Sequence, residues 1–78
     1  MTGDTELVTE ATEKVVEAAR ALLVRKIEFG VEAGVEPEVI DAARIRLAKG
    51  DLAADAGDQR GAIMSYQEGW TIVHDAQG

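Results

Sequence analysis

Apolar residues recur along this chain at the three- and four-residue intervals of an α-helix, and no run of residues alternates as a β-strand does. Two breaks divide the pattern, one from Gly30 to Pro37 and one at Gly57-Asp58. The pattern predicts helices over about 4–32, about 37–56 and about 59–75. Because short connections favour antiparallel neighbours, we expect an all-α fold, a small antiparallel three-helix bundle that forms one domain over residues 1–78.

The first predicted helix has a wide apolar face and a charged face opposite to it. The positions expected to lie together on the apolar face are Val8, Ala11, Val15, Ala19, Leu22 and Phe29, with Val16, Leu23 and Ile27 widening it. Lys26 falls within this face, so its methylene stem is expected to pack while its ammonium group reaches water. Val24 lies on the charged side, which indicates a second contact surface.

The second predicted helix has two apolar faces. One consists of Val39, Ile40, Ala43, Leu47, Gly50 and Ala54, and the other consists of Ala42, Ile45, Leu52 and Ala56. A helix of this kind either lies between two neighbours or offers one face to a partner. Gly50 lowers local helix stability by about 1 kcal/mol relative to Ala, and we expect it to let another helix approach closely.

The second and third helices combine small and large residues at characteristic positions. Small residues where the helices would cross, Gly50, Ala62 and Gly69, accompany the Gly57-Asp58 turn and the aromatic Tyr66. In this pattern residues 43–76 resemble a single tetratricopeptide repeat, whose length is 34 residues. The resemblance implies a C-terminal helical hairpin preceded by an extra helix.

The match to that repeat has departures. Arg46 and Ala53 stand where the repeat usually has aromatic residues, Lys49 stands where Leu is usual, and His74 replaces the closing Pro. The hairpin is also similar to the microtubule-interacting-and-trafficking domain in its size and its alternation of small and aromatic residues. Both resemblances bear on fold more than on function.

Composition and charge narrow the function classes. The chain has 78 residues, 15 acidic and 8 basic groups, a net charge of -7 and no Cys. A disulfide scaffold, a Cys-based zinc site and a thiol nucleophile are excluded, and nucleic acid is not expected as a ligand because phosphate binding needs clustered positive charge. The chain has no run of about 20 apolar residues, which is the length needed to span a bilayer. The acidic start lacks a signal-peptide pattern, so we expect a cytoplasmic protein with no membrane partner.

Candidate chemistry in the chain is sparse. His74 is the only histidine, and a general base would need a nucleophile or a carboxylate held close to it. A Glu-x-x-His pair of the kind found in di-iron bundles is absent, because Thr71 stands three residues before His74. We therefore predict no catalytic residues, no cofactor and no metal site. The main basic groups, expected to pair with neighbouring glutamates or to form a docking patch, are Arg20, Arg25, Lys26, Arg44, Arg46 and Lys49.

A three-helix monomer of this sequence is expected to leave apolar surface uncovered. The sequence therefore predicts a non-enzymatic helical protein–protein interaction module that self-associates or acts as a small accessory subunit. The predicted partner-binding residues are Val24, Ile45, Leu52 and Trp70. The alternatives are a small metal-binding or catalytic protein that uses His74 and carboxylates, and a domain that its partner orders.

Overall fold

Three α-helices make up the computed structural model, which describes the backbone of residues 2–78 and the side chains of residues 11–78. They are α1 (Thr2–Glu32), α2 (Pro37–Asp55) and α3 (Gln59–Gln77), and residues 2–78 contain no strand. The predicted all-α fold is confirmed. The helix bounds differ from the predicted ones by one or two residues: α1 begins earlier, α2 ends earlier and α3 ends later.

Local residue chemistry sets the helix ends. Gly34 and Gly57 have backbone φ angles of +79° and +81°, in the left-handed region that glycine adopts most readily. Pro37 is the first residue of α2, where its missing N–H group leaves no hydrogen bond unmade. Asp58 caps α3, since its carboxylate accepts a hydrogen bond of 2.9 Å from the Gly61 N–H group. These residues fix the two short connections.

The core lies along the line where the three helices meet. Its buried apolar residues are Val16, Leu23, Ile27, Ile40, Ala43, Ala62, Tyr66 and Val73. The prediction of which residues form the centre of the apolar face of α1 is wrong. Val15, Leu22 and Phe29 are exposed, and the core is formed by the stripe one residue further on, a rotation of about 100° around the helix. The side chain of Val8 lies outside the described part of the chain.

Close approach of the helix backbones depends on glycine. A Cβ atom added at Gly50 of α2 would meet the ring of Tyr66 on α3 inside van der Waals contact. At Gly69 of α3 an added Cβ would lie 2.9 Å from a methyl group of Leu23 on α1. The prediction that Gly50 lets a second helix approach is therefore confirmed, and α3 packs against both other helices.

A polar network joins one residue from each helix. Arg20 of α1 donates through Nε to Asp51 Oδ1 at 2.8 Å and through Nη2 to Asp51 Oδ2 at 3.2 Å. The buried hydroxyl of Tyr66 on α3 donates to the same Oδ1 at 2.6 Å. Hydrogen bonds from Arg20 and Tyr66 hold the pKa of Asp51 below its ordinary value. Burial and the neighbouring carboxylate raise the pKa of Tyr66 to about 12. The network fixes the relative positions of the three helices.

Candidate interaction surfaces

The outer face of α2 carries large apolar side chains that no neighbouring helix covers. Ile45 is 65% exposed and Leu52 is 71% exposed. They lie seven residues apart, with the exposed Ala48 between them. On the opposite side of the helix Ile40, Ala43 and Gly50 are buried. Of its two apolar faces, α2 therefore packs one into the bundle and leaves the other open. Ile45, Ala48 and Leu52 are called the α2 outer face below.

A second apolar stripe runs along α1. Its members are the exposed residues Ala11, Val15, Ala18, Leu22, Arg25 and Phe29, called the α1 seam below. The three large apolar side chains, Val15, Leu22 and Phe29, are 52%, 59% and 61% exposed. The intervals between successive members are four, three, four, three and four residues. This spacing keeps side chains on one side of a helix over several turns.

Trp70 lies at the edge of the core and is half-buried. Its ring stacks on the His74 ring at 4.5 Å between centroids, with 17° between the ring planes. The Lys26 Nζ atom lies 4.7 Å from the centre of the Trp70 ring, a cation–π arrangement. Val24, the remaining predicted contact residue, is also half-buried. Trp70 and Val24 thus offer only part of their surface to a partner, in contrast to Ile45 and Leu52.

A shallow groove between α1 and α3 connects the α1 seam with Trp70. The residues that line it are Ala19, Leu22, Tyr66, Gln67, Trp70 and Thr71. Leu22 therefore belongs both to the α1 seam and to one wall of the groove. A helix lying on the α1 seam would border this groove at Leu22.

His74 is held by aromatic stacking and by a cation. The Lys26 Nζ atom lies 3.2 Å from His74 Nδ1. Because an ammonium group can only donate, Nδ1 is the acceptor in this contact. Within residues 11–78, no three His, Cys, Asp or Glu side chains are close enough together to hold a metal ion. The geometry around His74 thus gives no specific support to the metal-binding or catalytic alternative.

Among the side chains of residues 11–78, two basic ones pair with acidic ones. Arg20 binds Asp51 as described, and Arg46 Nη1 lies 3.2 Å from Glu68 Oε2. Arg25, in contrast, lies in the α1 seam among apolar residues. Along the described backbone no helix combines the length and the apolar character that crossing a bilayer requires.

Comparison with known proteins finds no family model, no curated protein and no solved structure that matches this chain. The resemblance of residues 43–76 to a tetratricopeptide repeat stays a prediction.

The sequence reasoning missed the exposure of Val15, Leu22 and Phe29, because it placed them at the centre of the apolar face of the first helix. A signal for their exposure was present. The chain carries two apolar stripes on α1, one through Leu22 and one through Leu23, each with members seven residues apart. The two neighbouring helices can bury only one such stripe completely. A second stripe of similar hydrophobicity is the pattern expected of a helix that also contacts a partner.

Proposed function

We propose that this chain is a non-enzymatic helical protein–protein interaction module that self-associates or acts as a small accessory subunit of a larger assembly. The single observation that carries the proposal is the open α2 outer face, where Ile45 and Leu52 expose more than half of their surface. A cytoplasmic location is part of the proposal and stays a prediction.

The free energy gained by covering this face matters for a chain of this size, because a small domain buries little surface of its own. A chain of 78 residues buries only about 60% of the surface that it exposes when unfolded. Covering a Leu or Ile side chain stabilises an assembly by about 1.5–3 kcal/mol. Two such side chains on one helix face therefore favour a partner that supplies a complementary apolar surface, and a partner also adds to the stability of a small domain.

The test is the double substitution Ile45→Glu with Leu52→Glu. Both positions point away from the core, so helicity measured by circular dichroism is expected to stay at the wild-type level. Binding through this face is expected to be lost, as measured by capture of binding proteins from native lysate, and light scattering over a concentration series reports any self-association that uses the same face. The matched control is Arg60→Glu, which lies on α3 away from this face, is exposed and changes the net charge by the same amount.

The control variant is expected to associate like the wild type. If the double variant and the control behave alike in both assays, the α2 outer face is not a binding surface and the proposal fails. If the double variant unfolds, Ile45 and Leu52 stabilise the monomer itself, and the proposal fails for that reason.

A further inference from the structure

We propose that the α1 seam pairs with the α1 seam of a second copy of this chain, forming an antiparallel two-stranded coiled coil. The inference rests on the proposed function, since it assumes an interaction module, and it names one partner and one surface for it. That surface is distinct from the α2 outer face.

The spacing of the α1 seam is the first support. Alternating intervals of three and four residues place side chains along the line where two supercoiled helices touch. All six seam positions are exposed in the monomer, so α1 can present them without disturbing the core. The core residues of α1, Val16, Leu23 and Ile27, lie on a different side of the helix and keep their contacts with α2 and α3.

Side-chain size supports an antiparallel arrangement. When Leu22 of one copy is placed opposite Ala18 of the other, the same register places Phe29 opposite Ala11. Leu22 and Phe29 then each face a small residue, which is how closely packed helices fill space, and Val15 faces the methylene stem of Arg25. The two-fold axis passes beside Ala19 and Ala21. Small residues at this point allow the two helices to approach each other.

Charge supports the same register and opposes a parallel one. In the antiparallel register Lys14 of one copy flanks the seam beside Glu28 of the other, and symmetry repeats this pair, so that two ion pairs form. Both residues are exposed in the monomer. A parallel register instead sets Arg25 against Arg25 within the seam, and two like charges facing each other destabilise that arrangement.

The size of the surface indicates a weak dimer. The seam occupies six positions on a single helix, so the area that it can bury is small beside the roughly 800 Å² per partner of a standard interface. We therefore expect dissociation in the micromolar range, so the dimer is to be sought by measurements over a range of concentrations.

The first experiment is sedimentation equilibrium of the full chain and of Leu22→Glu. Placing two carboxylates in the seam is expected to weaken the dimer by more than about 100-fold. The matched control is Met64→Glu, which makes the same charge change at an exposed apolar residue of α3 and is expected to dimerise like the wild type. Circular dichroism verifies that all three proteins remain helical.

A charge-reversal series tests the register. Lys14→Glu alone and Glu28→Lys alone each create like-charged pairs across the proposed interface and are expected to weaken it by about threefold to tenfold. The double variant restores opposite charges and is expected to recover wild-type affinity. Both residues are solvent-exposed, so none of these variants is expected to unfold. Absence of recovery in the double variant would overturn the antiparallel register.

Distances between labelled copies give an independent test. The chain has no Cys, so Ala21→Cys and Glu32→Cys each allow one spin label per copy. Helix geometry gives about 10 Å between the two copies at residue 21 and about 37 Å at residue 32 in the antiparallel register. A parallel pair would give about 10 Å at both positions and would overturn the proposal.

Failure of this inference and failure of the proposed function are distinguishable. A dimer that survives Leu22→Glu but is lost in the Ile45→Glu, Leu52→Glu variant overturns the α1 pairing and supports the α2 outer face as the interface. A wild-type chain that stays monomeric at millimolar concentration overturns the α1 pairing. In that case the capture assay on the α2 variants still decides whether the chain binds a different protein.

Discussion

Replacing Gly50 by Ala tests the packing that joins α2 to α3. In an unconstrained helix the change would stabilise the protein by about 1 kcal/mol, because Ala is the better helix former. Here the new methyl group would overlap three ring atoms of Tyr66. That ring is only 2% exposed, and its hydroxyl is held by Asp51 at 2.6 Å, so the ring cannot turn away without straining a hydrogen bond.

Overpacking of a core costs about 1–3 kcal/mol, and weakening a hydrogen bond to a charged group adds about 1.5–3 kcal/mol. These costs exceed the propensity gain, so Gly50→Ala is expected to lower the free energy of unfolding by about 1.5–5 kcal/mol. The assay is urea denaturation followed by circular dichroism. A matched comparison is Ala48→Gly on the exposed side of the same helix, which is expected to lose about 1 kcal/mol from helix propensity alone.

A second comparison separates the overlap from other effects. In a Tyr66→Leu background the ring is gone, so adding Gly50→Ala is expected to be neutral or stabilising. The reasoning is refuted if Gly50→Ala in the wild-type background raises the free energy of unfolding, since α2 and α3 would then not approach as closely as described.

Three further outcomes are expected from the polar network and its surroundings. Tyr66→Phe removes the hydroxyl that binds Asp51 and is expected to cost about 1–2 kcal/mol in urea denaturation; a loss near zero would show that the bond contributes nothing to stability. Because the folded state raises the pKa of Tyr66 from 10.0 to about 12, stability from this group is complete below pH 10 and falls as the pH rises toward 12, and the fall is expected to be absent in Tyr66→Phe. Arg46→Ala breaks an exposed ion pair with Glu68 and is expected to cost less than about 1 kcal/mol, with a larger loss indicating that the Arg46 stem stabilises the core by packing.

The secondary structure could be predicted from the sequence because local chemistry decides it. Pro37 begins a helix, and Gly57 adopts a backbone conformation that few other residues tolerate, so each break is marked by its own residues. The close packing at Gly50 could also be predicted, since a glycine inside an otherwise apolar helix face usually serves a contact. None of these inferences depends on which side of each helix faces the core.

The rotation of α1 could not be predicted in this way. Leu22 and Leu23 are equally apolar, and the apolar stripes that pass through them differ by one residue. The choice depends on which stripe meets small residues on the other helices, and Leu23 is the one that packs against Gly69. This is a property of the assembled bundle and not of any single helix.

The polar network was also beyond the sequence reasoning. Arg20 lies 31 residues from Asp51, and Asp51 lies 15 residues from Tyr66. Their meeting depends on the relative heights of three helices along the bundle. Of the predicted partner-binding residues, Ile45 and Leu52 are exposed, while Val24 and Trp70 are half-buried. Whether any of the four binds a partner stays a prediction.

The central claim is that the bundle leaves apolar helix faces uncovered and that association covers them. Sedimentation equilibrium of the unmodified chain, from micromolar to millimolar concentration, tests it most directly. The account predicts that the average mass rises with concentration from the 8.3 kDa of one chain toward twice that value. A mass that remains that of a single chain over the whole range would contradict self-association through these faces.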